Sequence, residues 1–327
     1  MREPRIAAFC LLLVGLAVGS IGCRPESKPA HPSEGHGDEI SAAGQLFPTG
    51  TRVVRWSEPG AYDAYQRHRH FEPDKIGPSR HPDRVVRYDA LRGGLPKEVA
   101  KRVDKNGWSL KDLQDTVSQV VLHFDACGTS KRCFEVLHDV RGLSCHFLLD
   151  LDGTIYQTLD VQERAWHAAQ ANDLSVGVEI ANVGAHGDKS ALSKWYVEEE
   201  GAVRIKVPEE FGDGGLPPGF VGRPRRSEPI HGTVNGRDLV QYDFTEEQYV
   251  ALEKLLITLG RVFPKIKGRV PRDAEGQVLD RAFSSDAELF QFQGILAHSH
   301  VTTRKVDPGP AFDWERIVKA LERAGIE

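Results

Sequence analysis

Cysteine is scarce in this chain, with five in 327 residues, too few for a scaffold held together by disulfides. An excess of positive charge is also missing. Lys plus Arg number 42 against 47 Asp plus Glu, a formal net charge of −5, which argues against a general polyanion binder and so against a nucleic acid partner. No internal repeat is visible, and the apolar run from Ile6 to Ile21 is too short for a comfortable membrane span. What is present suits a folded protein. Hydrophobic residues make up 40% and charged residues 27%, enough to bury a sizeable core, and the length allows either one large α/β domain or two domains.

Residues 1–22 read as an address. Arg2 and Arg5 precede the apolar run, which has the length of a secretory h-region. The run ends in Ser20-Ile21-Gly22-Cys23, which resembles the bacterial lipoprotein signal, in which cleavage before the Cys leaves that residue to carry lipid. Ordinary signal cleavage and an uncleaved anchor are the alternatives. Residue 24 is Arg rather than Asp, so for a Gram-negative source the resemblance implies the outer membrane, facing the periplasm. From Cys23 to about residue 50 the chain is polar and rich in Pro, Gly, Ser and His, a composition that reads as a tether, with His31 and His36 solvated.

The globular part, 51–327, has a readable order of elements. Arg52–Tyr65 and Val85–Tyr88 hint at short strands. Ser109 is placed to cap a helix reaching Gln119, and Val120–Phe124 is a continuous apolar run expected of a strand covered on both faces. Two β-rich runs flank Asp152-Gly153, a hairpin signal, and Ser175–Ala181 reads as a further strand. Thr245 and Gln248 form a capping-box pattern, with Phe244 placed to staple against Tyr249 at the start of a long helix ended by Pro264. Gly294–His298 is a strand candidate, and Asp313–Ala324 an amphipathic helix. Strands and helices alternate without clean βαβ periodicity, which predicts an α/β domain with a mixed central sheet flanked by helices. Residues 184–242, rich in Gly, Pro and charge, read as a surface insertion with hairpin turns at Glu200-Gly201 and Asn235-Gly236.

Chemistry concentrates at three places. His123 ends the buried apolar run and is either a hydrogen-bonded core residue or a ligand. Glu179 shares a strand face with Gly177 and Ala181, which predicts open space beside its carboxylate, and it either faces solvent or serves a site. The stretch from His298 to Pro310 holds His298, His300, Lys305 and Asp307. Two imidazoles and a carboxylate suit Zn²⁺ and leave a fourth position for water, with Lys305 as a nearby fixed charge. Strand alternation sets His298 and His300 on one face, so spacing alone does not choose between them.

The segments Val121–His123, Ser144–Leu148, Asp152–Gln157, Arg164–Ala168, Val176–Glu179 and His298–Trp314 occur in the order found in zinc N-acetylmuramoyl-L-alanine amidases. The chain resembles the peptidoglycan-recognition-protein-like, or type 2, members of that family, over roughly residues 117–183 and 244–325. The resemblance implies zinc ligands His123, His298 and Asp307, a catalytic carboxylate at Glu179 and a stabilising cation at Lys305. It selects His298 over His300. It also implies a disulfide between Cys127 and Cys133, leaving Cys145 as a buried thiol. His167, within Trp166-His167-Ala168, is a candidate for contacting substrate or for a structural role.

The expected function is hydrolysis of the amide between N-acetylmuramic acid and L-alanine in peptidoglycan or its fragments, with the membrane reached through lipid on Cys23. Two alternatives stand beside it: a peptidoglycan-binding protein without catalysis, and a zinc peptidase cutting within the stem peptide.

Overall fold

The apolar run around Val120 forms strand β5 (Gln119–Phe124), and its neighbours follow from its being covered on both faces. A computed structural model describes residues 37–71, 85–199 and 201–327. The signal segment with Cys23, His31 and His36, and Glu200 of the expected turn, lie outside the described residues.

In the central sheet, β5 is flanked by β14 (Gly294–Ala297) and β9 (Ser175–Ile180), both parallel to it. Beyond β9 come β6 (Phe147–Leu149), parallel to β9, then β7 (Ile155–Gln157), antiparallel to β6, and β3 (Val53–Arg55), parallel to β7. The sheet is therefore mixed, with six strands in the order β14-β5-β9-β6-β7-β3. The β6–β7 pair turns at Asp152-Gly153, where Gly153 has a φ of 82°. A short antiparallel pair, β4 (Tyr88–Asp89) with β8 (Arg164–Ala165), lies apart from this sheet.

Strand alternation divides the sheet's two faces. Val120, Leu122, Val176, Val178 and Ile180 pack in one core with Leu252, Leu255, Leu256 and Leu259 of α4 (Glu246–Val262) and Ile317 and Leu321 of α7 (Trp314–Arg323). The start of α4 is fixed as its sequence predicts. Thr245 and Gln248 form the reciprocal capping box, and the Phe244 and Tyr249 rings lie 6.0 Å apart. Gln248 also donates to the Ala181 carbonyl at 2.7 Å, tying this helix to the end of β9. On the opposite face, Tyr62, Phe134, Leu137, Cys145, Leu148 and Tyr156 form a second cluster, and His123 and Glu179 point the same way.

Three helices besides these were not all foreseen. Helix α1 (Lys97–Asn106) is polar and buries only Val103, so it carries no apolar stripe to read. Helix α2 (Leu110–Thr116) has the expected Ser109 cap but stops early, because Gln119 already belongs to β5. Helix α3 (Ser130–Phe134), capped by Thr129, runs directly into a π-helical turn over Glu135–Arg141. Short helices α5 (Asp286–Gln291) and α6 (His298–Val301) flank β14. Among the described residues no helix is long and apolar enough to cross a membrane.

The expected tether over 23–50 is corrected from residue 37 onward. Strands β1 (Glu39–Ala42) and β2 (Gln45–Pro48) form a hairpin in which Ile40 and Ala42 are fully buried. Between them, Ser41 donates through its hydroxyl to Asp160 at 2.5 Å and through its backbone N–H to Gln157 at 2.7 Å. Two buried apolar residues and one satisfied polar one suffice for a strand, though averaged composition hides them. Within residues 184–242, expected to be a surface insertion, β10 (Tyr196–Glu199) pairs with β11 (Ala202–Ile205), and β12 (Ile230–Val234) with β13 (Arg237–Gln241). Leu192, Tyr196, Val240 and Tyr242 of this stretch cluster with Val183 in a small separate core.

Candidate functional site

Parallel register brings the first two site residues together. β5 and β9 align His123 directly with Glu179, both on the face away from α4, at the carboxyl ends of the strands. β14, on the other side of β5, ends at Ala297 and delivers His298 to the same edge. The chain then makes the α6 turn and returns, with the Ser299 N–H donating to the Asp307 carbonyl at 3.1 Å. The result is a triangle: His123 Nδ1, His298 Nδ1 and Asp307 Oδ2 are each 2.9 Å from the other two.

All three residues are buried. Burial, reinforced by the neighbouring His298, lowers His123 to about 4, so its imidazole is neutral at pH 7. Burial alone would raise Asp307, but His298 and His123 outweigh it and hold the carboxyl well below the usual range. Two imidazole nitrogens and one carboxylate oxygen thus converge on one point. That donor set and spacing fit a divalent ion such as zinc, and among the described residues this is the one His/Cys/Asp/Glu cluster tight enough to hold a metal.

Glu179 stands beside the triangle, 9% exposed. Burial drives its carboxyl well up, Asp307 and Asp125 add to the shift, and the charge of Lys305 opposes it. Lys305 is half-buried and has no ion-pair partner among the described residues, and its charge also acts on His123. The space expected beside Glu179 is corrected at Gly177. A side chain added there would meet His167 at 2.7 Å and Cys145 at 2.8 Å, so the strand's glycine is a seat for the His167 ring.

His167 itself is placed behind a candidate ligand. Its Nδ1 lies 3.0 Å from His123 Nε2 and its Nε2 lies 3.3 Å from Ser175 Oγ, whose hydroxyl donates to the Ala171 carbonyl at 2.7 Å. Both ring nitrogens are therefore engaged by protein, which fits the structural role rather than a substrate contact. Such a partner fixes the tautomer that leaves His123 Nδ1 free to coordinate.

His300 is held apart from the triangle. Because the strand ends at Ala297, His298 and His300 lie on a helical turn and not on one strand face, which corrects the alternation expected there. His300 Nδ1 accepts from the Ala297 N–H at 3.0 Å and its Nε2 lies 2.8 Å from the Leu279 carbonyl. The expected Cys127–Cys133 bond is also corrected. Cys127, Cys133 and Cys145 are free. The Cys127 loop is pinned instead by Asp125, which accepts from the Cys127 and Gly128 N–H groups at 2.9 Å each.

Two supporting residues were not singled out in the sequence. Asp125 also accepts from the Asn182 N–H at 3.1 Å, joining the segments that follow β5 and β9; burial raises its carboxyl to about 7. Arg92 is 2% exposed, and its guanidinium donates to the carbonyls of Val161, Glu163, Asn172 and Ser175 at 2.7–3.1 Å. These bonds fix both ends of the segment that presents His167.

A protein-family model described as N-acetylmuramoyl-L-alanine amidase matches residues 113–310. No curated protein matches. Among solved structures, a selenomethionine derivative of AmpD is 18% identical with a TM-score of 0.34, over 78% of this chain and 98% of that one. The N-acetylmuramyl-L-alanine amidase AmiD from E. coli, in complex with anhydro-N-acetylmuramic acid-L-Ala-D-gamma-Glu-L-Lys, is 18% identical with a TM-score of 0.35, over 62% of this chain and 57% of that one. The endolysin N-acetylmuramoyl-L-alanine amidase LysCS from Clostridium intestinale is 15% identical with a TM-score of 0.30, over 66% and 88% respectively.

Proposed function

The chain belongs to the N-acetylmuramoyl-L-alanine amidase family, and from that premise we propose a zinc hydrolase that cuts the amide between the lactyl group of N-acetylmuramic acid and L-alanine. Its substrate is peptidoglycan or fragments of it. The observation that carries this reading is the triangle of His123, His298 and Asp307 donor atoms, 2.9 Å on each side, with Glu179 in register beside it.

Those three residues would hold the metal, with His167 orienting His123 from behind. Bound there, zinc supplies Lewis acidity and brings the pKa of a water to about 7. Glu179 takes the proton from the water that attacks the amide carbonyl and hands a proton to the departing amine of L-alanine. Its raised affinity for protons suits both halves of that task. The ammonium of Lys305, unpaired among the described residues, offsets the negative charge that develops on the carbonyl oxygen.

Glu179→Ala is the test. We expect it to retain one zinc per chain by elemental analysis and to lose kcat by about 10²- to 10⁴-fold on a muropeptide substrate. Lys305→Ala should also retain zinc and lose kcat. Near-normal turnover in either variant removes that residue from the mechanism, and zinc loss in Glu179→Ala makes it a ligand instead.

The proposal extends to location. Cleavage before Cys23, lipid on that residue and residence at the outer membrane facing the periplasm are supported by the Ser20-Ile21-Gly22-Cys23 junction. Mass spectrometry of the mature N-terminus decides this, and an unlipidated start elsewhere removes it. The catalytic domain then begins near residue 37 rather than 51, since the β1–β2 hairpin packs into its core.

A further inference from the structure

The segment carrying Lys305 and Asp307 is gripped by the 184–242 insertion. At the tip of the β12–β13 hairpin, Val234 pairs with Arg237, leaving Asn235-Gly236 as a two-residue turn with φ values of 49° and 71°. Asn tolerates that left-handed conformation better than most side chains, so the turn type accounts for the Asn-Gly pair. It does not account for where the side chain goes.

The two N–H groups of Asn235 Nδ2 serve three carbonyls of the site loop, with one N–H shared: Ser299 at 3.0 Å, Thr302 at 3.3 Å and Lys305 at 2.7 Å. At the other end of the same amide, Oδ1 accepts from the Ala282 N–H at 2.9 Å. Three acceptors around the nitrogen and one donor at the oxygen fix the orientation of the amide. The backbone N–H of Asn235 donates to the Asp280 carbonyl at 2.7 Å. The hairpin holds the loop at further points. Arg237 donates to the Thr303 carbonyl at 3.2 Å. At the hairpin's base, fully buried Gln241 donates to the Pro308 carbonyl at 3.1 Å and accepts from the Ala311 N–H at 3.1 Å.

We propose that Asn235 is a positioning residue and that the insertion serves as a brace for the loop presenting Lys305 and Asp307. The loop's own bonds are few: Ser299 to the Asp307 carbonyl, Thr302 to the His298 carbonyl, Lys305 to the Thr302 carbonyl, and Arg304 to the Thr302 hydroxyl at 3.4 Å. Lys305 has no ion pair among the described residues to locate its ammonium, so the position of its charge depends on its backbone. The shortest of the three Asn235 bonds is to that backbone. A charge that must meet a developing oxyanion is effective only when held in place beforehand.

This effect on turnover rests on the amidase reading; the mobility of the loop does not. The test uses two variants of the full chain, each in zinc-loaded form. Asn235→Gly keeps the turn's φ and removes the amide. Asn235→Asp keeps the shape and the acceptor for Ala282 but sets a carboxylate against three carbonyls. Kinetics on a muropeptide and amide hydrogen exchange across residues 299–305 are measured together. We expect kcat to fall roughly 10- to 100-fold with KM within about twofold, and exchange of the Ser299 and Lys305 amides to quicken by about tenfold or more. Wild-type exchange in Asn235→Gly overturns the brace, whatever the activity, and so does a loss expressed in KM alone. A wild-type protein without amidase activity would sink the functional reading, while the exchange measurement would still decide the brace.

Discussion

Gly177→Ala isolates one contact on which the site depends. Gly177 sits in mid-strand without a positive φ, so alanine meets no backbone penalty there, and its added methyl is the whole perturbation. That methyl would lie 2.7 Å from His167 Cγ and Nδ1 and 2.8 Å from Cys145 Sγ, against an ordinary contact of at least 3.4 Å. The ring must therefore give by about 0.7 Å, or the strand must. His167 cannot yield freely, because its Nδ1 is bonded to His123 at 3.0 Å and its Nε2 meets Ser175 at 3.3 Å. Overpacking of this kind costs about 1–3 kcal/mol, and loss of a metal ligand's supporting partner lowers affinity by about 10- to 100-fold. Urea denaturation of the metal-free protein should show the first effect, and zinc competition with a chelator the second. A variant as stable as wild type with unchanged zinc affinity would refute the claim that the glycine seats His167 and that His167 supports the site.

Ile40→Ala should destabilise the protein by about 2–5 kcal/mol in denaturant titrations, as expected of a buried core residue and not of a tether; no change would return residues 37–48 to the linker. Asp150 is buried, with one carboxyl oxygen lacking a partner among the described residues, and burial, with Asp152 adding to it, raises it to about 8. The folded state therefore holds a proton that the unfolded chain gives up near pH 4, so this group's contribution to stability is full below that pH and is lost as pH rises toward 8. Melting temperatures from pH 5 to 9, taken with chelator present, should fall less steeply in Asp150→Asn than in wild type. Parallel curves would show that Asp150 ionises normally.

Local rules made much of the sheet legible. Val120–Phe124, the Asp152-Gly153 hairpin, the Thr245 capping box and the α7 stripe each state their structure within a few residues, and each formed as read. Elements with little local signal were missed. The β1–β2 hairpin buries only a few side chains, and α1 only Val103. The helical turn at His298-Ser299-His300 is accompanied by a local cap, the Ala297 N–H on His300 Nδ1, and by a contact of His300 Nε2 with the Leu279 carbonyl, which is distant in sequence. Arg92 likewise meets backbone groups of remote segments, as does the side chain of Asn235, whose turn was readable but whose partners were not, and Asp125 adds to its local bonds a distant one to Asn182. His123, Glu179, Lys305 and Asp307 were recognisable by type and order. Their convergence depends on the parallel register of β14, β5 and β9, which the sequence does not spell out.

The central claim is the identity of the bond that is cut, and mass spectrometry of what the zinc-loaded protein releases from purified peptidoglycan sacculi tests it most directly. The account predicts whole stem peptides with a free L-alanine amino group, and glycan strands left intact with unsubstituted muramic acid. Peptides cut internally, with L-alanine still joined to muramic acid, would contradict it, as would sacculi that bind the protein and release nothing.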